Sequence, residues 1–259
     1  MKTSLFEYIS SSEKEQIQLF CFHYAGGSAF DYSGLREYLP DNIGIYPFQL
    51  PGRGKRRNDR YPSSVREAAE EAAEAINSII KGPFILLGHS MGGMIASVAA
   101  QILQEEYGMF PERLFVTASV PDFGETSRIN SMLMSPLDDD EFCRKLVEFN
   151  AVDKRILGLR RFREEIFPVT RADFTMAEKY HADSSVKLKC GISVYGGLND
   201  KVVRPAQLSE WGKFTLSDTT IRLFDGDHFF IREYMPEICL DIIKMSSAVV
   251  RKGTFTRSR

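Results

Sequence analysis

The chain has 259 residues, 43% of them hydrophobic and 12% aromatic, enough for a substantial core in one large domain or two small ones. A formal net charge of −2 supplies no global positive field for phosphates, which argues against a nucleic-acid or membrane-surface protein. Cys21, Cys143, Cys190 and Cys239 are scattered without a C-x-x-C pair and read as reduced, mostly buried thiols. With no apolar signal region near the N-terminus and no membrane-length run, the expected location is the cytoplasm.

Taken in order, a polar lead-in precedes residues 17–22 (IQLFCF), a run too apolar for a strand with one wet face. The loop from His23 to Ser28 follows, and its Gly26-Gly27 pair lets backbone N–H groups turn outward towards a ligand. Residues 30–39 predict a short helix stopped by Pro40, and 43–50 the next strand. Pro51-Gly52-Arg53-Gly54 opens a basic loop that reads first as a solvated face. Residues 62–80 predict a helix with proline in its first turn, a stripe of Ala and Ile residues, and Gly82 as the stop. An apolar strand from Pro83 to Leu87 then breaks at Gly88-His89-Ser90-Met91-Gly92 and resumes as a helix to Tyr107. Residues 113–120 form another strand, closed by Pro121-Asp122.

Strand and helix alternate to this point, which predicts a mostly parallel α/β sheet with helices on both faces, and the G-x-S-x-G at residues 88–92 makes the α/β-hydrolase fold the expectation. Residues 123–188 break the rhythm with helical patterns over 138–149, 153–159 and 160–181. They are read as a helical lid inserted within a single domain spanning 1–259, with a packed excursion that has no gating role as the alternative. The sheet resumes at 190–195, followed by Gly196-Gly197-Leu198-Asn199-Asp200, a helix near 205–214, a strand at 219–224, the loop carrying His228, and a last helix from about 231 to 250.

The chemistry starts from G-x-S-x-G between a strand and a helix, where a sharp turn exposes a serine Oγ above the sheet. A serine hydroxyl is a poor nucleophile, so Ser90 needs an imidazole to take its proton and an acid to orient that imidazole. Of four histidines, His23 and His89 precede Ser90, His181 sits in the helical excursion, and only His228 follows a strand after the serine. Asp200 is the favoured acid and Asp122 its rival, since both follow neighbouring strands. Oxyanion donors are expected at the N–H groups of Met91 and Ala25. Isolated histidines and the form of the glycine loops predict no metal and no nucleotide cofactor.

With these residues placed, the chain resembles the type II thioesterases of nonribosomal peptide and polyketide synthesis. The resemblance runs through Phe22-His23-Tyr24-Ala25-Gly26-Gly27-Ser28, Gln49-Leu50-Pro51-Gly52-Arg53-Gly54, Gly88-His89-Ser90-Met91-Gly92-Gly93, Arg171-Ala172-Asp173-Phe174, Gly196-Gly197 to Asp200, and Asp227-His228-Phe229-Phe230. The second and fourth motifs have no role in the bare triad argument, so they weigh most for the family. The resemblance implies hydrolysis of acyl or aminoacyl thioesters from the phosphopantetheine arm of carrier proteins, removing misprimed or stalled units, with the acid at Asp200; the chain is expected to be a monomer. His23 stands where the family usually has proline and Asp227 where it usually has glycine, which bears on the chamber entrance and on the charge near His228. Lys55, Arg56, Arg57, Arg160, Arg161 and Arg163 are a plain solvated surface on one reading and a docking face for an acidic carrier domain on another. A carboxylesterase or lactonase of the same fold, acting on small oxoesters, is the alternative, because a triad is indifferent to thioester or oxoester.

Overall fold

The computed structural model describes residues 5–123, 133–155 and 159–256. Strands β1 (Ile17–Phe22), β2 (Ile43–Phe48), β3 (Phe84–His89), β4 (Arg113–Thr117), β5 (Gly191–Gly197) and β6 (Thr219–Phe224) fall where the apolar runs predict them. The helices are α1 (Val65–Ile79), α2 (Met91–Glu106), α3 (Asp139–Glu148), α4 (Arg160–Glu178) and α5 (Ile231–Thr256). Ala29–Glu37 and Pro205–Phe214 are 3-10 helices, each short and interrupted by a glycine, Gly34 or Gly212, that weakens α-helix formation. The predicted helix at 153–159 lies partly outside the described residues.

Every strand pairing in the six-stranded sheet is parallel, in the order β2-β1-β3-β4-β5-β6. Helices cover both faces, which is the α/β-hydrolase architecture. On one face the small side chains Ala68, Ala69, Ala72 and Ala73 of α1 share a core with Met94, Ala99 and Leu103 of α2. On the other, Tyr32 and Leu35 share a core with Ile238 and Ile242 of α5. Helix α1 starts at Val65 because the Ser64 hydroxyl accepts from the Glu67 N–H; Pro62 stays outside the helix. All four cysteines are buried and unpaired.

The polar lead-in contains one structural residue that composition hides. Phe6 bridges antiparallel to Phe48 on edge strand β2 and packs its ring against Phe20, Tyr46 and Phe48. The segment thereby covers an edge that would otherwise present unpaired backbone groups.

From β1 the chain moves to β2 on one side and then to β3 on the other, so the loops after β1 and β3 diverge above adjacent strand ends. Such a reversal opens a crevice at the C-terminal edge of the sheet. The close approach there depends on two glycines. A Cβ on Gly88 would run into the backbone of Gly92 and Gly93, and one on Gly92 into the carbonyls of Phe22 and His23. Helix α2 can therefore lie directly against the ends of β1 and β3.

His23 sits beneath this crevice at 1% exposure, with its Nδ1–H donating to the Tyr24 carbonyl at 2.9 Å. Its Nε2 is buried with no hydrogen-bond partner. Burial, and then the nearby Arg53 cation, push its pKa down to about 3. The unfolded chain takes up this proton near pH 6.5 while the native state refuses it, so stability falls as pH drops below 6.5 and levels off near 3.

Gly92→Ala is expected to lower unfolding free energy by about 3 kcal/mol or more in urea titrations. Gly34→Ala, where a Cβ meets open space, is expected to change it by less than about 1 kcal/mol. Replacing His23 with glutamine should remove about 1.4 kcal/mol per pH unit from the acid dependence of stability between pH 6.5 and 3, read as the difference between variant and native chains.

Candidate active site

Ser90 joins β3 to α2 with φ 54° and ψ −120°, a left-handed conformation that a residue with a Cβ rarely adopts. Its N–H donates to the Thr117 carbonyl at 2.8 Å, and its carbonyl accepts from the Gly93 N–H at 2.9 Å. The turn is thus pinned on both sides. The hydroxyl projects over the sheet at the N-terminus of α2, where backbone N–H groups lack partners within the helix.

The residues predicted around Ser90 converge on it. Ser90 Oγ lies 2.9 Å from His228 Nε2, and His228 Nδ1 lies 2.9 Å from Asp200 Oδ2. A carboxylate can only accept, so Nδ1 carries the hydrogen and Nε2 is left to accept from the serine. The other oxygen of Asp200 accepts from the N–H groups of Val202 and Val203 at 2.8 and 2.9 Å, which fixes the carboxylate in the turn after β5. Asp122 is elsewhere: its carboxylate meets His181 Nδ1 and the Ala182 N–H, both at 3.3 Å.

Ala25 and Met91 line one chamber with Ser90 and His228. Its other walls are mostly apolar, with Met94 of α2, Phe149, and Phe174 and Ala177 of α4 among them. Tyr24 and Phe229 stack edge to face at 5.0 Å and form a further side. Burial drives the Tyr24 phenol up to about 12, so it stays neutral and donates to Asp31 Oδ1 at 3.2 Å. His89, which precedes the serine, points away from it; its Nδ1 pairs with Thr117 Oγ1 at 2.8 Å, and burial keeps the ring neutral.

Several surface expectations change. His23 lies beneath the loop and is absent from the lining of the chamber. Asp227 turns its carboxylate to the Asn150 amide and the Phe229 N–H instead of towards His228. Arg56 is buried against Glu71 and Asp59, Arg160 pairs with Glu164, and Arg163 with Asp140, so these arginines are held by acids of the same chain. Lys55 and Arg57 are exposed, and the side chain of Arg161 lies outside the described residues.

Sequence reasoning gave Arg53 and Asp173 no structural role. The two form a buried bidentate ion pair, Nη1 to Oδ2 at 2.7 Å and Nη2 to Oδ1 at 2.8 Å. Asp173 Oδ2 also accepts from the Gly26 N–H at 2.8 Å. Both residues lie in motifs that the triad did not need, and that surplus was the only signal available.

The Thioesterase domain family model matches residues 17–245. Thioesterase PikA5 of Streptomyces venezuelae is 30% identical over 227 residues, 87% of this chain and 79% of that protein. Linear gramicidin dehydrogenase LgrE of Brevibacillus parabrevis is 32% identical over 230 residues, 86% of this chain and 85% of its own. Its name denotes a dehydrogenase, yet no glycine-rich dinucleotide fingerprint follows a strand in the present sequence. The solved structure of the type II thioesterase BorB from the borrelidin biosynthetic cluster superposes with a TM-score of 0.80 at 26% identity, covering 92% of this chain and 95% of BorB. With a family match over most of its length, this chain belongs to the thioesterase family of hydrolases.

Proposed function

We propose that this protein is a stand-alone type II thioesterase that removes acyl or aminoacyl units from the phosphopantetheine arm of carrier proteins in nonribosomal peptide or polyketide synthesis. The observation that carries the hydrolytic chemistry is the hydrogen-bonded chain from Asp200 through His228 to Ser90 beside an apolar chamber. Family membership and relatives such as PikA5 and BorB support the thioester and the pathway class.

Ser90 Oγ attacks the thioester carbonyl while its proton passes to His228 Nε2, and Asp200 steadies the resulting imidazolium. The N–H groups of Ala25 and Met91 hold the oxyanion. Collapse breaks the C–S bond, and the departing pantetheine sulfur takes the proton from His228. Water then gives a proton to His228 and its oxygen attacks the acyl-serine. Cleavage of that ester returns the proton to Ser90 and releases the acid. The described helices of the 123–188 excursion, α3 and α4, act as the lid within the one domain, the parts of that range at 124–132 and 156–158 lying outside the described residues; Phe149 and Phe174 set how much acyl chain fits.

Ser90→Ala is expected to lower kcat about 10⁴-fold in thioester hydrolysis, leaving rates near background; native turnover would contradict the mechanism. Asp200→Asn should be crippled by a comparable factor while Asp122→Asn stays within a few-fold of the native rate, and the reverse order would move the acid to Asp122. Acetyl released from a loaded carrier protein should show a higher kcat/KM than acetyl-pantetheine. Equal values would count against a carrier partner.

A further inference from the structure

We propose that Asp173, held by Arg53, is a positioning residue for the oxyanion loop, so that α4 sets the geometry in which Ala25 receives the oxyanion. The inference rests on the assignment of Ala25 as an oxyanion donor.

The loop is a four-residue turn. The Gly27 N–H donates to the Tyr24 carbonyl at 2.9 Å, and Gly26 occupies the third position with φ 80°. The Ala25 N–H sits on the first peptide of this turn, and the neighbouring Ala25–Gly26 peptide, which shares the Ala25 Cα with it, can rotate or shift between alternative turn types. One group opposes that rotation directly: the Gly26 N–H belongs to this peptide, and it donates to Asp173 Oδ2 at 2.8 Å. Arg53 holds the same oxygen at 2.7 Å and reaches the Gly27 carbonyl at 2.9 Å, so one guanidinium binds both the acceptor and the far end of the loop. Its Nε donates to the Pro51 carbonyl at 3.1 Å, which fixes the guanidinium plane.

The clamp is dry. Arg53 and Asp173 are 9% and 2% exposed. Thr170, one turn earlier on α4, fills the space that a side chain on Gly26 would need, with its Oγ1 2.7 Å from where a Cβ would stand. Helix α4 thus meets the loop through two successive inward residues, while Phe174 and Ala177 of the same helix wall the chamber. An outward displacement of this stretch would strip the Gly26 peptide of its acceptor as well as opening the chamber.

A structural ion pair and a positioning device differ in what their removal does. Two variants separate them: Asp173→Asn, nearly isosteric, and Arg53→Met/Asp173→Leu, which replaces the pair by apolar side chains and so avoids an unpaired buried charge. The readouts are kcat and KM for p-nitrophenyl acetate per folded molecule, thermal midpoint, and inhibition by butylboronic acid, whose serine adduct is tetrahedral and presents an oxygen to the loop. The expected result in both variants is a kcat lower by about 10- to 100-fold, KM within about threefold, and boronate affinity weakened in step with kcat/KM. In the apolar double variant this should accompany a thermal midpoint close to native. If either variant folds and keeps kcat within threefold of native, the proposal is overturned. Ser90→Ala, run alongside, separates two failures: if it is inactive while the Asp173 variants are normal, only the clamp is wrong; if it too is active, the catalytic reading fails.

Discussion

The site depends on one awkward residue. Ser90 holds φ at 54° although it carries a side chain, a conformation that costs on the order of 1–3 kcal/mol and relaxes unless its surroundings forbid it. Here they do forbid it. Gly88 and Gly92 let β3, α2 and the end of β1 approach so closely that the intervening residue has no other path, and hydrogen bonds to Thr117 and Gly93 hold it from either side. The strain sits in the backbone of Ser90, and the close-packed surroundings that impose it also lift the hydroxyl clear of the sheet.

Everything else is arranged around that fixed point by the order of the strands. Because β1 lies between β2 and β3, the loop carrying Ala25 arrives beside the serine, while the turns after β5 and β6 supply Asp200 and His228 from the other side. Each is held by its own local bonds before it meets its neighbour. Asp200 is clasped by two backbone amides, and the loop by Arg53 and Asp173. Little reorganisation is left for the moment of reaction, which is what preorganised acyl transfer requires.

Much of this was legible in the amino-acid order. Gly88 to Gly92 between an apolar run and a helical pattern located the elbow, and the requirement that acid and base follow the serine singled out His228 and ranked Asp200. What escaped reading depends on contacts with no periodic signature. Arg56 looked like one member of a basic run until Glu71, on the following helix, came to face it. Phe6 was hidden in a polar lead-in because its partners lie on β1 and β2. His23 looked like an entrance residue, but the turn after β1 carries its ring under the loop. Asp173 could be recognised as part of a motif, yet its purpose needed the Gly26 N–H that it meets.

The spacing of these partners along the chain also bears on when the site can be assembled. The groups that pin the elbow, the end of β1 and Thr117, lie nearer to it in the chain, whereas Arg53 and Asp173 are 120 residues apart and Ser90 and His228 are 138 apart. Contacts of such separation bear the loop-closure entropy of the long segments between them and form late relative to local ones. A chain emerging from the ribosome can complete its serine turn long before the residues that arm it have been synthesised. On the proposed mechanism, the Ser90 hydroxyl has no imidazole partner until that long-range closure is made.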